Sequence, residues 1–219
     1  MPTARKSLCV GIAGGSGSGK SRLARFLKRR LGPRAVVLCM DWYYRDHGGL
    51  PPARAKKLNF DHPSSIEMPL LLRQLDELRA GWAIDAPRYL YATHARLKDT
   101  RRVRPAPLVI LDGLLVLCDP QLLRRLDYSV FIEVPDDVRL LRRIRRDVEH
   151  RRIDLEETLR LYERFVRPMH QKHVQPSAER AAWRWRQLED KGFPSRLATL
   201  LRRRVRRAGP SPSRRGRSR

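Results

Sequence analysis

The residues best suited to chemistry stand near the amino terminus, in the run Gly14-Gly15-Ser16-Gly17-Ser18-Gly19-Lys20-Ser21. Glycines at this spacing free backbone N–H groups to curl around phosphate oxygens, and a helix opening at the end of the run adds its positive dipole end. Lys20 can then reach β- and γ-phosphates, and the Ser21 hydroxyl is a hard oxygen ligand for Mg²⁺. The pattern Gly14-x-x-x-x-Gly19-Lys20-Ser21 is a P-loop, which points to a nucleoside triphosphate such as ATP or GTP together with Mg²⁺. Two carboxylates extend the set. Asp41 follows the apolar run 35–40, which puts it at the carboxyl edge of a sheet, where it can take the proton of a hydroxyl attacking the γ-phosphate. Asp112 follows the run 108–111 and is placed to hold Mg²⁺. For both, the plain alternative is an acidic residue that begins a turn.

The elements that must position these groups follow from periodicity. Segment 7–13 (SLCVGIA) reads as a buried strand that feeds the glycines, and 22–31, with Leu23, Phe26, Leu27 and Leu31 at helical spacing, reads as the helix after them. Segments 35–40, 108–111 and 129–134 are further buried strands, and 69–79 is an amphipathic helix with Gly81 past its end. Pro135-Asp136-Asp137 opens a long helix with Leu141, Ile144 and Val148 on one face and Arg139, Arg142, Arg143 and Arg146 on another. Asp154 is the expected cap of a third helix that runs to Val166 and stops before Pro168. Strands separated by helices predict an α/β fold with a doubly wound, mostly parallel sheet and helices on both faces.

Composition narrows the class. No apolar run approaches the roughly 18 residues that a membrane span needs, so the chain is not expected to involve a membrane. Cys9, Cys39 and Cys118 sit in or beside apolar runs without metal-ligand spacing, which suits buried thiols in a reducing, cytoplasmic setting. The formal net charge is +25, and about half of it falls in residues 180–219, which hold 14 basic and 2 acidic side chains. That end is drawn to nucleic acid or another polyanion. Within it, 181–188 and 197–205 read as helices, and 209–219 (GPSPSRRGRSR) lacks any core-forming residue and reads as disordered.

Taken together, the motifs resemble the uridine kinase (uridine–cytidine kinase) family of P-loop nucleoside kinases. Besides the loop, the likeness rests on Asp41-Trp42-Tyr43-Tyr44, Asn59-Phe60-Asp61-His62-Pro63, Pro87-Arg88-Tyr89 with His94 and Arg96, and Leu111-Asp112-Gly113-Leu114-Leu115. It continues through Phe131-Ile132-Glu133, Arg142 to Asp147, and Val166-Arg167-Pro168-Met169-His170. The resemblance implies transfer of the γ-phosphoryl of ATP or GTP to the 5′-hydroxyl of uridine or cytidine, with Mg²⁺, in pyrimidine salvage. It makes Asp41 the general base near Mg²⁺, Asp61 a partner of the ribose hydroxyls, and Tyr89 and His94 contacts of the pyrimidine. Arg143 is implied toward the sugar, and Arg146 toward the transferring phosphoryl, where a guanidinium fork suits spread negative charge. It further implies a kinase domain over 1–179, with a hairpin and lid insertion at about 82–104 that closes over the nucleoside, and a homo-oligomer. On local pattern alone, His94 is a loop histidine, and Arg139 and Arg142 belong to a solvated basic stripe.

The departures are specific. Asp112-Gly113 stands where the family has Glu-Gly, one methylene shorter and so suited to reach Mg²⁺ through water. Ile153 and Leu161 fall where the family has a nucleoside-binding arginine and a glutamine, and Arg151 or Arg152 is the available substitute. After Ser177 no apolar strand follows, so the last family strand is expected to be missing or replaced by helix, with 180–219 a basic extension. Two rival readings remain: another small-molecule P-loop kinase, acting on nicotinamide riboside, pantothenate or ribulose phosphate, or a P-loop protein of low activity that binds nucleic acid, with Trp183 and Trp185 stacking bases between arginines. For those tryptophans the preferred reading is a helix that packs them on the core.

Overall fold

The structure is a computed structural model that describes residues 6–55 and 57–208. Among them, seven strands form: β1 (Leu8–Gly14), β2 (Ala35–Cys39), β3 (Ile84–Leu90), β4 (Ala95–Val103), β5 (Leu108–Asp112), β6 (Tyr128–Glu133) and β7 (Trp183–Arg186). The helices are α1 (Lys20–Leu31), α2 (Pro52–Ala55), α3 (Met68–Arg79), α4 (Pro120–Leu123), α5 (Asp136–Arg145), α6 (Leu155–Leu161), α7 (Arg167–Met169) and α8 (Phe193–Ala208). Five strands make one parallel sheet in the order β2-β5-β1-β6-β7, and β3 and β4 make a separate antiparallel hairpin.

Apolar cores cover both faces of this sheet. Val10, Ile12, Ile110 and Ile132 pack against Leu23 and Leu27 of α1 and Leu197 and Leu201 of α8. On the other face Cys9, Val109, Leu111 and Phe131 pack against Leu71, Leu75 and Leu78 of α3 and against Tyr43. The chain leaves β1 toward β2 on one side and β5 toward β6 on the other, so the order reverses between β1 and β5. Open α/β sheets form a crevice beyond the carboxyl ends of the strands at such a point. The P-loop leaves β1 there, and Asp112, which lies opposite Ile12 in the register, ends β5 beside it.

Several expectations change. The last strand is present: β7 pairs in parallel with β6, Val130 opposite Trp183 and Ile132 opposite Trp185. Segment 181–188 therefore holds a strand at 183–186 and no helix. Its Trp-Arg-Trp-Arg alternation has period two, which seats Trp185 in the core and stacks Trp183 on Tyr128 at 5.5 Å, while Arg184 pairs with Glu133 and Glu179. A continuous apolar run is not needed at a sheet edge with one wet face. Trp185 is buried, and Trp183 is half-buried with Tyr128 stacked on its ring. The helix expected at 197–205 is there as part of α8, and the disorder expected at 209–219 lies outside the described residues.

Helix α5 is turned the other way round from its hydrophobic pattern. Leu141 is 57% exposed and Val148 38%, whereas Arg139 is 2% exposed. Buried, Arg139 donates Nε to the Val134 carbonyl at 3.2 Å and pairs with Asp136 at 2.6 Å. The solvated stripe therefore does not describe Arg139, and the arginine face turns inward to the P-loop. Pro168 does not stop the following helix either, since helical turns continue through it to Val174 in alternating α and π geometry.

Candidate active site

The loop between β1 and α1 has the form that anion binding requires. Gly17 and Gly19 adopt φ of 81° and 89°, and no side chain caps the N-terminus of α1, which leaves its N–H groups directed at the crevice. Position 17 admits only glycine, because its φ is left-handed and a Cβ would run into the backbone of Arg139. Ser16 accepts a hydrogen bond from Arg143 Nη1 at 3.1 Å, Ser18 donates its backbone N–H to the Gly15 carbonyl at 3.0 Å, and the Ser18 hydroxyl is buried without a partner.

Asp112 is 3% exposed, and one of its carboxylate oxygens has no hydrogen-bond partner. Burial pushes its carboxyl up, while Lys20 and the Ser21 hydroxyl hold it down. An orphaned buried carboxylate oxygen beside a hydroxyl is the hard-oxygen environment that suits Mg²⁺, which takes one or two carboxylates and fills its other positions with water and substrate phosphate. Gly113 lets β5 close on the next strand end: a Cβ there would meet Met40. That contact brings Asp41, in the first turn after β2, to the same sheet edge, two residues past Cys39, which itself lies opposite Asp112.

Asp61 lies across the crevice. Burial raises its carboxyl, and Arg143, Lys20 and Arg146 pull it back while Asp41 pushes it up, so five charged groups share one field. Arg143, Arg146 and Arg151 converge on Asp147, at 3.2, 2.9 and 3.5 Å, and Asp147 is 1% exposed. A π-helical stretch at Arg146–His150 carries this node. Arg151 also lies over the Tyr91 ring at 5.1 Å, so of the two proposed substitutes it is the one that reaches the hairpin; Arg152 is exposed, and Ile153 donates its N–H to the Asp147 carbonyl.

The hairpin brings aromatic side chains to the same place. Tyr89 lies 5.3 Å from Tyr44 and its hydroxyl is buried without a partner. His94, at the tip with φ of 53°, stacks on Phe60 at 4.9 Å; burial and His47 lower its pKa, which favours the neutral ring. Arg96 holds the hairpin down by donating to the Tyr44 and Tyr43 carbonyls at 2.8 and 3.0 Å and pairing with Glu67.

Charge coupling thus groups Lys20, Asp41, Asp61, Arg143 and Arg146 in one field, and ring contacts group Tyr89 and His94 around Phe60, the neighbour of Asp61 in the chain. Four residues have supporting roles that the sequence reading did not assign: Asp147 and Arg96, present only as parts of motifs, and the inward pair Arg139 and Arg142, read as a solvated stripe. Arg142 donates to the Gln187 side chain at 2.6 Å, and Gln187 donates to the Ser18 carbonyl at 2.7 Å, so the chain after β7 braces the P-loop. The local signal for these supports was membership of the motifs that hold Arg96 and the run Arg142 to Asp147. A cavity of about 460 Å³ opens beside Gly15, lined by Arg139, His170, Glu133 and Arg184. His170 is held neutral there, with burial and Arg139 lowering its pKa to about 4.

A parallel sheet with a P-loop at its switch point, two strand-end carboxylates and an arginine-bearing helix over the loop defines a P-loop kinase, an enzyme that transfers a phosphoryl group from a nucleotide donor. The family model "Phosphoribulokinase / Uridine kinase family" matches residues 9–191, and the chain belongs to that family. It is 39% identical over 171 residues to a uridine kinase of Chloroflexus aurantiacus, covering 78% of this chain and 82% of the relative, and 40% identical over 177 residues to a uridine kinase of Escherichia coli K12, covering 78% and 83%. Among solved structures, D-glycerate 3-kinase from Cryptococcus neoformans (TM-score 0.60, 18% identity, 84% of this chain and 85% of that one) and phosphoribulokinase from Rhodobacter spheroides (0.58, 14%, 81% and 68%) share the fold. No helix among the described residues is long and apolar enough to cross a membrane.

Proposed function

We propose that the protein phosphorylates the 5′-hydroxyl of a pyrimidine ribonucleoside, uridine or cytidine, using ATP or GTP, and so serves pyrimidine salvage. The observation that carries this reading is the common field of Asp61 with Lys20, Asp41, Arg143 and Arg146, beside a ring cluster of Tyr44, Phe60, Tyr89 and His94 that includes the neighbour of Asp61 in the chain. A planar base fits between rings that offer stacking faces and polar edges. The neutral His94 can donate or accept at the base edge, and the free Tyr89 hydroxyl is a second polar contact.

In this reading Asp61 accepts from the ribose hydroxyls and holds the 5′-oxygen toward Asp41, which takes its proton as it attacks the γ-phosphorus. Lys20 and the loop N–H groups bind the β- and γ-phosphates, and Arg143 and Arg146 meet the charge that spreads over the transferring group. Mg²⁺, when bound by Ser21, Asp112 and Asp41, supplies charge neutralisation on the donor. Asp147 keeps the arginines in place, and closing the α5 arginines over the loop excludes water that would otherwise hydrolyse the donor. Three free thiols suit the cytoplasm.

The test is a coupled phosphorylation assay across ribonucleosides, nicotinamide riboside, pantothenate and ribulose phosphate, with Asp41→Asn alongside. Uridine and cytidine turnover that drops on the order of 10²–10⁴-fold in the variant is the expected result. Turnover of another acceptor, or none by folded protein, overturns the pyrimidine reading.

A further inference from the structure

The strongest feature that phosphoryl transfer leaves unused is the outer surface of α1 and α8. Helix α1 carries Lys20, Arg22, Arg25, Lys28, Arg29 and Arg30, helix α8 carries Arg196, Arg202, Arg203, Arg204, Arg206 and Arg207, and neither contains an acidic residue. The two helices pack side by side on the β1 face of the sheet, with Arg202 donating to the Arg30 carbonyl at 2.6 Å across the seam. Arg22, Arg29, Arg30, Arg203, Arg204 and Arg206 are exposed, and none of them pairs with a carboxylate among the described residues. Self-repulsion on this scale opposes folding and is relieved by a bound polyanion.

Two observations say which polyanion. Leu23, Leu27, Leu31, Leu197, Leu201 and Val205 of the two helices are spent on the core, each at most 5% exposed, Phe26 and Phe193 pack partly buried against it, and Leu200 is half-buried, which leaves no continuous apolar face outside. A helix that lies in a lipid interface needs an apolar face to insert, and neither helix has one to offer. The outward charge is also almost all arginine, whose planar fork matches phosphate oxygens two at a time, where lysine acts as a point charge. The tryptophans near this surface stack within the protein, Trp185 on Phe193 and Trp183 on Tyr128, which favours a duplex backbone over the unstacked bases of a single strand.

We propose that the α1–α8 face binds the phosphate backbone of duplex nucleic acid, independently of sequence, as a surface separate from the catalytic crevice. The proposal does not rest on the pyrimidine reading, since α1 and α8 pack on one face of the sheet and Tyr44, Phe60 and Tyr89 belong to the core on the other.

The experiment measures fluorescence anisotropy of labelled 24-base-pair duplex RNA and duplex DNA with the full chain from 50 to 300 mM salt, in parallel with sedimentation on vesicles of phosphatidylserine and phosphatidylcholine. The two duplex arms tell which backbone is preferred. Two triple variants remove the same charge: Arg29→Gln/Arg203→Gln/Arg206→Gln on the face, and Arg73→Gln/Lys98→Gln/Arg104→Gln elsewhere, each checked by thermal melting. Expected are duplex binding by the wild type that weakens steeply with salt, a loss of at least tenfold in the face variant, and a logarithmic salt slope flatter by about 3 in that variant, one per phosphate contact removed. The control variant should lose less than threefold. Equal losses in both variants would mean that net charge alone acts, and that result, vesicle binding without duplex binding, or no binding at 50 mM salt, overturns the proposal.

Discussion

Asp147 shows how a single side chain can organise a site without touching substrate. It is buried, and three guanidinium groups lean on it, two of which also act in the field of Asp61. Asp147→Asn keeps the shape and removes the charge, and truncating one member of a buried charge network leaves the others uncompensated. We expect a loss of about 2 kcal/mol in urea unfolding and a fall in kcat larger than the change in KM for nucleoside, measured by steady-state kinetics. His170 gives a pH prediction. Its folded pKa of about 4 lies below the ordinary value of 6.5, so between those pH values the unfolded chain takes up a proton that the folded chain does not. The stability it contributes is complete above pH 6.5 and lost as pH falls toward 4. His94 and His173 shift in the same direction, so the wild type should weaken over this window and His170→Gln should weaken less, as read from melting temperature against pH.

At the scale of elements, β7 and α5 both depart from what hydrophobic pattern alone suggests, because their charged side chains find partners: Arg184 and Arg186 of β7 pair with Glu133, and Arg139 of α5 donates to the Val134 carbonyl and pairs with Asp136. For β7 the compensation is on the other face, where Trp185 is buried, stacks on Phe193 at 5.3 Å and donates its indole N–H to the Asp190 carbonyl at 2.7 Å. Trp185→Ala should cost about 3–5 kcal/mol and release α8 from α1, visible as loss of hydrogen-exchange protection in 193–208. Leu141→Ser on α5 should change stability by less than about 0.5 kcal/mol, because that side chain is already in solvent. Helical periodicity correctly located α5 and its two faces, yet the rule that the apolar face goes inward gave the wrong orientation. Arg139 shows why: its guanidinium finds the Val134 carbonyl and reaches the solvent-exposed Asp136 carboxylate, so burying it leaves no charge unpaired.

For the molecule as a whole, the crevice lies between the sheet edge, the hairpin and the arginine helix, and nucleotide binding should join these parts. A non-hydrolysable ATP analogue with Mg²⁺ at about 100 times its Kd adds roughly 2.7 kcal/mol to folding. For a chain of this size that is a rise in Tm of roughly 5–11 °C by differential scanning calorimetry. Lys20→Ala should abolish the rise, and chelating Mg²⁺ should shrink it.

What the sequence determined by itself is the local chemistry: the glycine spacing that makes a phosphate cradle, the strand ends that carry Asp41 and Asp112, the helical and strand periods, and the excess of arginine. These are legible because each depends on a few neighbouring residues and on backbone geometry that those residues dictate. The tertiary structure decided which groups meet. Arg96, 52 residues from Tyr44, pins the hairpin to the strand-end turn, and Gln187, 169 residues from Ser18, props the P-loop. Whether Trp183-Arg184-Trp185-Arg186 became helix or strand depended on an open edge of β6 and on α8 to cover it. Partners so distant in sequence leave no periodic trace, and burial of a polar side chain becomes favourable only once its hydrogen-bond partner is in place.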